Sequence, residues 1–110
     1  MSFGPQDFSN QPLRLRMRAD LHVQPLQFGG KKYWGIKDPI SLQYYQLRDE
    51  EYFILQQLDG RASFDVIRKN YEQRFLPQKL QAAHLQGFLS RLHQSGLVIA
   101  DAFGQGEILL

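Results

Sequence analysis

The 110-residue sequence predicts an α+β fold, and three observations carry that prediction. Stretches between His22 and Leu47 alternate apolar with polar residues, as half-buried β-strands do. From Asp49 onward the apolar residues recur every three or four positions, which is typical of helices packed on one side. The 43% apolar and 13% aromatic content is that of a folded chain, and 110 residues are enough for one domain with its own core.

Two strands form the first part of the predicted sheet. His22–Phe28 places Leu26 and Phe28 on one face, while Pro25 makes it an edge strand or a bulged strand. The pair Gly29-Gly30 predicts a two-residue hairpin turn, because glycine adopts positive φ at little cost. Lys31–Lys37 then returns antiparallel, with Trp34 and Ile36 on one face.

A third strand is predicted over Ile40–Leu47, after Asp38-Pro39 as a turn. Before the sheet, Leu13, Leu15 and Met17 alternate with Arg14, Arg16 and Arg18, which favours an extended segment with one apolar and one basic face. The basic face is interpreted as solvated arginines that keep an edge soluble, with a patch for anions or acidic partners as the alternative.

Three helices are expected after the sheet. Asp49 is the predicted N-cap of the first, which ends at Gly60, and Ser63 is the predicted N-cap of the second. The third runs from Gln78 or Leu80 to Ser95 and stops at Gly96, and Leu97–Ala100 adds a short strand. Three helices beside a small antiparallel three-stranded sheet indicate a winged-helix-like α+β domain over residues 13–102.

The two ends of the chain are predicted to lie outside this domain. Residues 1–12 are rich in Gly, Pro, Gln, Asn and Ser, which predicts a disordered or loosely packed tail. Residues 103–110 are interpreted as a C-terminal tail or a linker to a further domain, with Ile108 to Leu110 poorly packed.

Composition argues against several kinds of chemistry. Without cysteine there is no disulfide, no thiolate nucleophile and no cysteine-based zinc site. His22, His84 and His93 lack the spacing and the accompanying glutamate of a zinc-protease helix, and Asp49 to Glu51 is explained by helix capping. The sequence therefore predicts no catalytic residue, no metal and no cofactor. A net charge of +2 does not by itself indicate nucleic acid, and no apolar run is long enough to span a membrane.

The segment Ile40–Leu47 is the best candidate for a binding site. It is regular, free of proline and uncharged, which suits an open edge, and that a peptide adds to it as a further strand is implied by a family resemblance. The alternative is an interior strand with Tyr45 and Leu47 in the core. The candidate peptide-binding residues of this strand are Leu42, Gln43, Tyr44, Tyr45 and Gln46.

The third helix supplies the other candidate residues, Phe88, Arg91 and Leu92. Phe88 lies at the margin of the apolar stripe and either belongs to the core or forms the floor of a peptide pocket. Arg91 lies just outside the stripe and is either solvated or pairs with an acidic peptide.

The stretches "YYQLRDEEYFILQQLDGRASFDVIRKNYEQRF" and "LQGFLSRLHQSGLVIAD" resemble the PqqD-like family, the recognition domains for precursors of ribosomally made, modified peptides. The shared features are a strand ending in Leu47, the helix end Leu58-Asp59-Gly60, and Leu92 with Gly96-Leu97-Val98. The resemblance covers residues 21–101 and is closest to N-terminal segments of predicted peptide zinc metalloproteases related to peptide exporters. It implies that a leader peptide adds as a strand to the third strand, beside the third helix.

These observations together predict a non-enzymatic module that captures a precursor peptide for a modifying enzyme, a peptidase or an exporter, in the same chain or another. The expected location is the cytoplasm, including the cytosolic part of a membrane protein. The alternatives are a winged-helix DNA-binding domain and a structural docking domain. Arg91 as the sole arginine on the third helix disfavours duplex binding, which needs several phosphate contacts, so no nucleic-acid partner is expected.

Overall fold

The computed structural model describes residues 11–100. A three-stranded antiparallel sheet followed by three helices confirms the predicted α+β class. The described elements in chain order are β1 (Leu15–Met17), β2 (His22–Phe28), β3 (Lys31–Lys37), β4 (Tyr44–Arg48), α1 (Asp49–Gln57), α2 (Phe64–Arg74), α3 (Ala82–Gln94) and β5 (Val98–Ala100). The predicted tail over residues 103–110, and residues 1–10 of the N-terminal one, lie outside the described residues.

The main sheet has the order β2-β3-β4 and turns first at the predicted glycine pair. Gly29 and Gly30 have φ values of 56° and 77°, the left-handed conformations that a two-residue hairpin turn requires at both central positions. The strand bounds on either side of this turn agree with the prediction.

The third strand begins four residues later than predicted. Ile40 to Gln43 do not continue the strand, because the Asp38 carboxylate accepts the backbone N–H of Ile40 at 2.9 Å and of Ser41 at 3.3 Å. The Leu42 N–H then donates to the Asp38 carbonyl at 2.8 Å, and Leu42 has a positive φ of 63°. A side chain that bonds nearby backbone N–H groups stabilises a turn at the expense of a strand.

The order of strands places β4 at one edge of the sheet and β2 at the other. Asp38 N–H donates to the carbonyl of Gln43, its opposite number in the continued β3–β4 register, at 3.0 Å. Bonded pairs alternate with non-bonded pairs in an antiparallel ladder, so alternate residues of β4 bond to β3. The residues of β4 whose backbone N–H and C=O groups point away from β3 are Tyr44, Gln46 and Arg48.

The same alternation applies to β2, where the hairpin turn makes Phe28 and Lys31 a bonded pair. Counting back along β2, the backbone groups of Pro25 and its alternate neighbours point away from β3. Because proline has no N–H, Pro25 interrupts the row of donors on this edge. Its placement at an edge confirms the prediction.

A second, two-stranded sheet pairs β1 with β5, so the extended segment and the last short strand are both confirmed. Met17 N–H donates to the Leu58 carbonyl, and Gly60 N–H donates to the Leu15 carbonyl, which ties β1 to the end of α1. Arg18 differs from the prediction. It is not a solvated member of a basic face, because it pairs with Asp38 and is largely buried.

The helix ends were partly predicted. The Ser63 hydroxyl accepts the Val66 N–H at 3.2 Å, which confirms that residue as an N-cap. Asp49 is not a cap but the first residue of α1, where its carboxylate accepts the Trp34 indole N–H at 2.8 Å. Gly60, at φ 83°, lies two residues beyond the C-cap Leu58 rather than next to the helix.

The core lies between the inner face of the sheet and the three helices. Ile36 and Leu47 contribute from the sheet, and Leu55, Ile67 and Leu85 contribute one residue from each helix. All five are buried, so the helical stripe on each element agrees with its apolar periodicity.

Candidate functional site

The candidate site is the open edge of β4. Within the described residues no strand pairs with the second side of β4, which confirms the predicted edge against the interior alternative. Tyr44 and Gln46 direct their backbone N–H and C=O groups to that side, and both side chains are exposed on the outer face of the sheet. An edge of this kind can accept a further strand by backbone hydrogen bonding.

The edge ends at Arg48. Its outward N–H donates to the Glu51 carboxylate at 2.9 Å, so this group is already satisfied at the start of α1. The Arg48 guanidinium reaches the same carboxylate at 3.3 Å, and this hydrogen bond raises the pKa of Arg48. The free ladder groups of β4 therefore belong to two residues, Tyr44 and Gln46.

Helix α3 lies on the inner side of this edge and is linked to it at two points. The Tyr45 hydroxyl donates to the Ser95 carbonyl at 3.1 Å, near the C-terminal end of the helix. Arg91 lies 3.5 Å from the Glu51 carboxylate that also holds Arg48. Inner-face side chains of a strand added to β4 would therefore lie on the side occupied by α3.

The predicted α3 residues divide into core and surface. Phe88 and Leu92 are 4% and 2% exposed and belong to the core, so Leu92 offers little surface to a peptide. Arg91 is exposed, with its guanidinium 5.3 Å from the centre of the Phe88 ring. Phe88 also lines a cavity of about 270 Å³ among the three helices, which includes Arg48 and Glu51 in its lining but none of Tyr44, Tyr45 and Gln46.

The remaining predicted residues lie at the start of β4. Leu42 is in the turn and is 68% exposed. Gln43 precedes the strand, and its N–H lies 3.3 Å from the Ser41 hydroxyl. The structure thus brings Tyr44, Tyr45 and Gln46 together on the edge strand, while Leu42 and Gln43 lie in the turn segment that precedes it.

Sequence reasoning missed the ion pair between Arg18 and Asp38, which stabilises the turn segment before β4. Arg18 donates to both carboxylate oxygens of Asp38, at 2.7 and 3.0 Å, and it also holds Asp20 at 2.7 Å. The hydrogen bond from Arg18 lowers the pKa of the Asp38 carboxyl well below its usual range. The Asp38-Pro39 pair in the sequence indicates the turn itself. No local pattern indicates that Asp38 pairs with Arg18, which lies twenty positions earlier.

The outer face of the sheet was also not predicted as part of a site. It carries a hollow of about 600 Å³ that borders β4. Its central row across the three strands is Gln24, Gly35 and Gln46, and the next row is His22, Lys37 and Tyr44. Gly35 brings no side chain of its own to the centre of this row, and the Leu26 side chain lies against it, with a methyl carbon 3.1 Å from where a Cβ would stand.

The described residues contain neither a cluster of three or more metal-ligating side chains nor a helix able to span a bilayer. No group of three or more His, Cys, Asp or Glu side chains in residues 11–100 is placed to hold a metal ion. No helix in this range combines the length and the apolar character needed to span a bilayer.

Comparison with known proteins gave no match, whether against family models, curated proteins or solved structures.

Proposed function

We propose that this chain is a non-catalytic peptide-binding module of the PqqD-like kind, which captures a precursor peptide as an added strand on β4. The observation that supports this is the pair of outward-facing residues Tyr44 and Gln46 on an edge with no strand beside it in the described residues. In this function the bound peptide is presented to a modifying enzyme, a peptidase or an exporter.

The size of the edge sets the strength of capture. Each outward residue offers one N–H and one C=O, and each hydrogen bond to the peptide contributes about 1 kcal/mol net. A few apolar side chains of the peptide that become buried on the inner side of β4 would add about 1.5–3 kcal/mol each, against several kcal/mol for ordering the peptide. These magnitudes correspond to dissociation constants on the order of micromolar.

The features of α3 do not favour the rival function of duplex recognition. Its exposed residues are mostly neutral, and Arg91 already lies near Glu51. A docking function within a larger protein would use the same β4 edge, so the decisive experiment is one that tests peptide capture at that edge.

The test is selection of random 12-residue peptides displayed on phage, followed by calorimetric titration of the synthetic winners. Gln46→Pro removes one outward N–H, and we expect it to weaken binding at least about tenfold, since it removes a ladder bond and crowds the added strand. Gln27→Pro is the matched control, because it removes an outward N–H from the opposite edge. We expect it to leave binding unchanged.

Selected peptides that bind both proline variants equally would contradict capture at β4. Melting curves of both variants, recorded alongside, show whether a lost signal reflects the edge or the fold.

A further inference from the structure

The hollow on the outer face of the sheet adjoins the open edge of β4. Tyr44 and Gln46 belong to both features, because their backbone groups point to the edge while their side chains line the hollow. An added strand would alternate its side chains between the two faces, so every second one would stand beside this hollow.

The hollow has a cationic character. Lys37 supplies that character, His22 lies opposite it in the ladder, and no Asp or Glu is among the lining residues. None of the ion pairs between described residues includes Lys37. The Lys37 ammonium nitrogen lies 5.8 Å from the centre of the Tyr44 ring, so the lysine side chain extends from β3 toward the edge strand β4.

The amide side chains complete the donor set. Gln24 and Gln46 flank Gly35 in the same row, and each amide can donate N–H groups into the hollow. A carboxylate held by an ammonium and amide donors makes charge-assisted hydrogen bonds, which are stronger than neutral ones. A lysine or arginine in the same place would meet like charge.

We infer that this hollow is a subsite for an acidic side chain of the peptide that adds to β4, and that the captured segment therefore carries Glu or Asp on its outer face. The inference rests on the proposed function and specifies its ligand. Single-stranded nucleic acid is the other polyanion that aromatic and basic side chains on a sheet can bind. It is disfavoured because the outer face has few cations beyond Lys31, Lys37 and Arg48, and Arg48 already pairs with Glu51.

The experiment uses the tightest displayed peptide. Each residue of the peptide is replaced in turn by Glu, Gln and Lys, and each version is titrated against the wild-type chain, Lys37→Gln and Lys31→Gln. At one or more alternate positions of the peptide, we expect the version with Glu to bind the wild-type chain about fivefold more tightly than the version with Gln. Fivefold is the upper range for an exposed ion pair. Lys should bind more weakly than Gln at the same positions.

The Glu-to-Gln ratio should fall to near one in Lys37→Gln and persist in Lys31→Gln, which removes the same charge at the far end of the outer face. A ratio unchanged in Lys37→Gln would overturn the inference, and continued sensitivity to Gln46→Pro would leave the proposed function intact. Failure to select any peptide that depends on Gln46 would contradict both. Displacement of the peptide by a 12-nucleotide oligothymidylate, lost in Lys37→Gln, would assign the hollow to nucleic acid instead.

Discussion

The two edges of the main sheet differ in their chemistry although they belong to the same three strands. On the β2 edge, Pro25 occupies the middle of the outward-facing row and removes its donor. On the β4 edge, Tyr44 and Gln46 keep complete backbone groups, and no strand covers them in residues 11–100.

This difference in backbone donors indicates which edge of the sheet can pair with a further strand. Edge strands are sites of unwanted pairing, and proline is one of the usual means of blocking them. The β2 edge carries this protection. The β4 edge is restricted in length by the Arg48–Glu51 hydrogen bond, but its remaining groups are open. A strand that is bounded but not blocked is better suited to a short, extended ligand than to unlimited association.

The largest expected effect comes from placing a proline in β4 at a residue whose backbone N–H bonds to β3. Tyr45→Pro removes a donor to β3 and the hydroxyl that bonds Ser95, so we expect a loss of about 3–6 kcal/mol of unfolding free energy. Gln46→Pro, one residue later, removes an outward donor that has no ladder partner in the described residues, so it should cost about 1 kcal/mol or less. Urea unfolding of both variants tests the ladder alternation, and equal losses would show that it is assigned wrongly.

The next effect concerns the two turns that lead into the edges. Gly29-Gly30 forms its turn by backbone conformation alone, whereas the turn before β4 depends on Asp38, whose side chain is 6% exposed. We expect Asp38→Asn to lower the melting temperature more than Asp20→Asn, because Asp20 is more exposed and does not bond the turn. Melting curves at pH 7 compare the two variants directly.

The same carboxylate gives a pH dependence. Since the folded pKa of Asp38 is lowered by the Arg18 hydrogen bond, its contribution to stability is present above the unfolded value of about 3.9 and is lost as the pH falls below it. The wild type should therefore lose more stability between pH 7 and pH 3 than Asp38→Asn does. Parallel slopes for the two proteins would contradict a lowered pKa.

A smaller effect is expected from making the two edges alike. Pro25→Val restores an outward N–H on β2, at a position where Pro25 pairs with Trp34 without ladder bonds. We expect stability to change by about 1 kcal/mol or less and self-association to increase, as seen by sedimentation velocity at high protein concentration. Unchanged association would mean that the proline does not protect this edge.

The smallest effect is expected with DNA. Given the net charge of +2, we expect weak non-specific duplex binding that disappears at physiological salt. Fluorescence anisotropy with a labelled duplex measures it. Nanomolar affinity at that salt would favour a nucleic-acid function over peptide capture.

The sequence was most informative where local chemistry decides the backbone. The Gly29-Gly30 turn allowed the bounds of β2 and β3 to be predicted to the residue, and Ser63 as an N-cap allowed the start of α2 to be predicted. These features depend on neighbouring residues, so no tertiary contact is needed to anticipate them.

It was least informative where distant residues compete with local pattern. Ile40 to Gln43 alternate like a strand, but the Asp38 carboxylate bonds Ile40 and Ser41 instead, and Arg18 holds that carboxylate in place. Phe88 and Leu92 were candidates for a peptide pocket, yet the packing of the helices buries both. The hollow over Gly35 arises from the register of three strands, which alternation within one strand does not specify.

The shortness of the open edge has a kinetic consequence. The proposed capture combines a ladder limited to Tyr44 and Gln46 with a few apolar contacts, for a dissociation constant on the order of micromolar, and typical protein association rates are roughly 10⁵–10⁷ M⁻¹s⁻¹. Together these give a bound lifetime of about 0.1–10 s. In the proposed function, a peptide held for seconds would be handed to a second site and replaced by the next molecule, and the hydrogen bond between Arg48 and Glu51, by shortening the ladder, would limit how long each peptide stays bound.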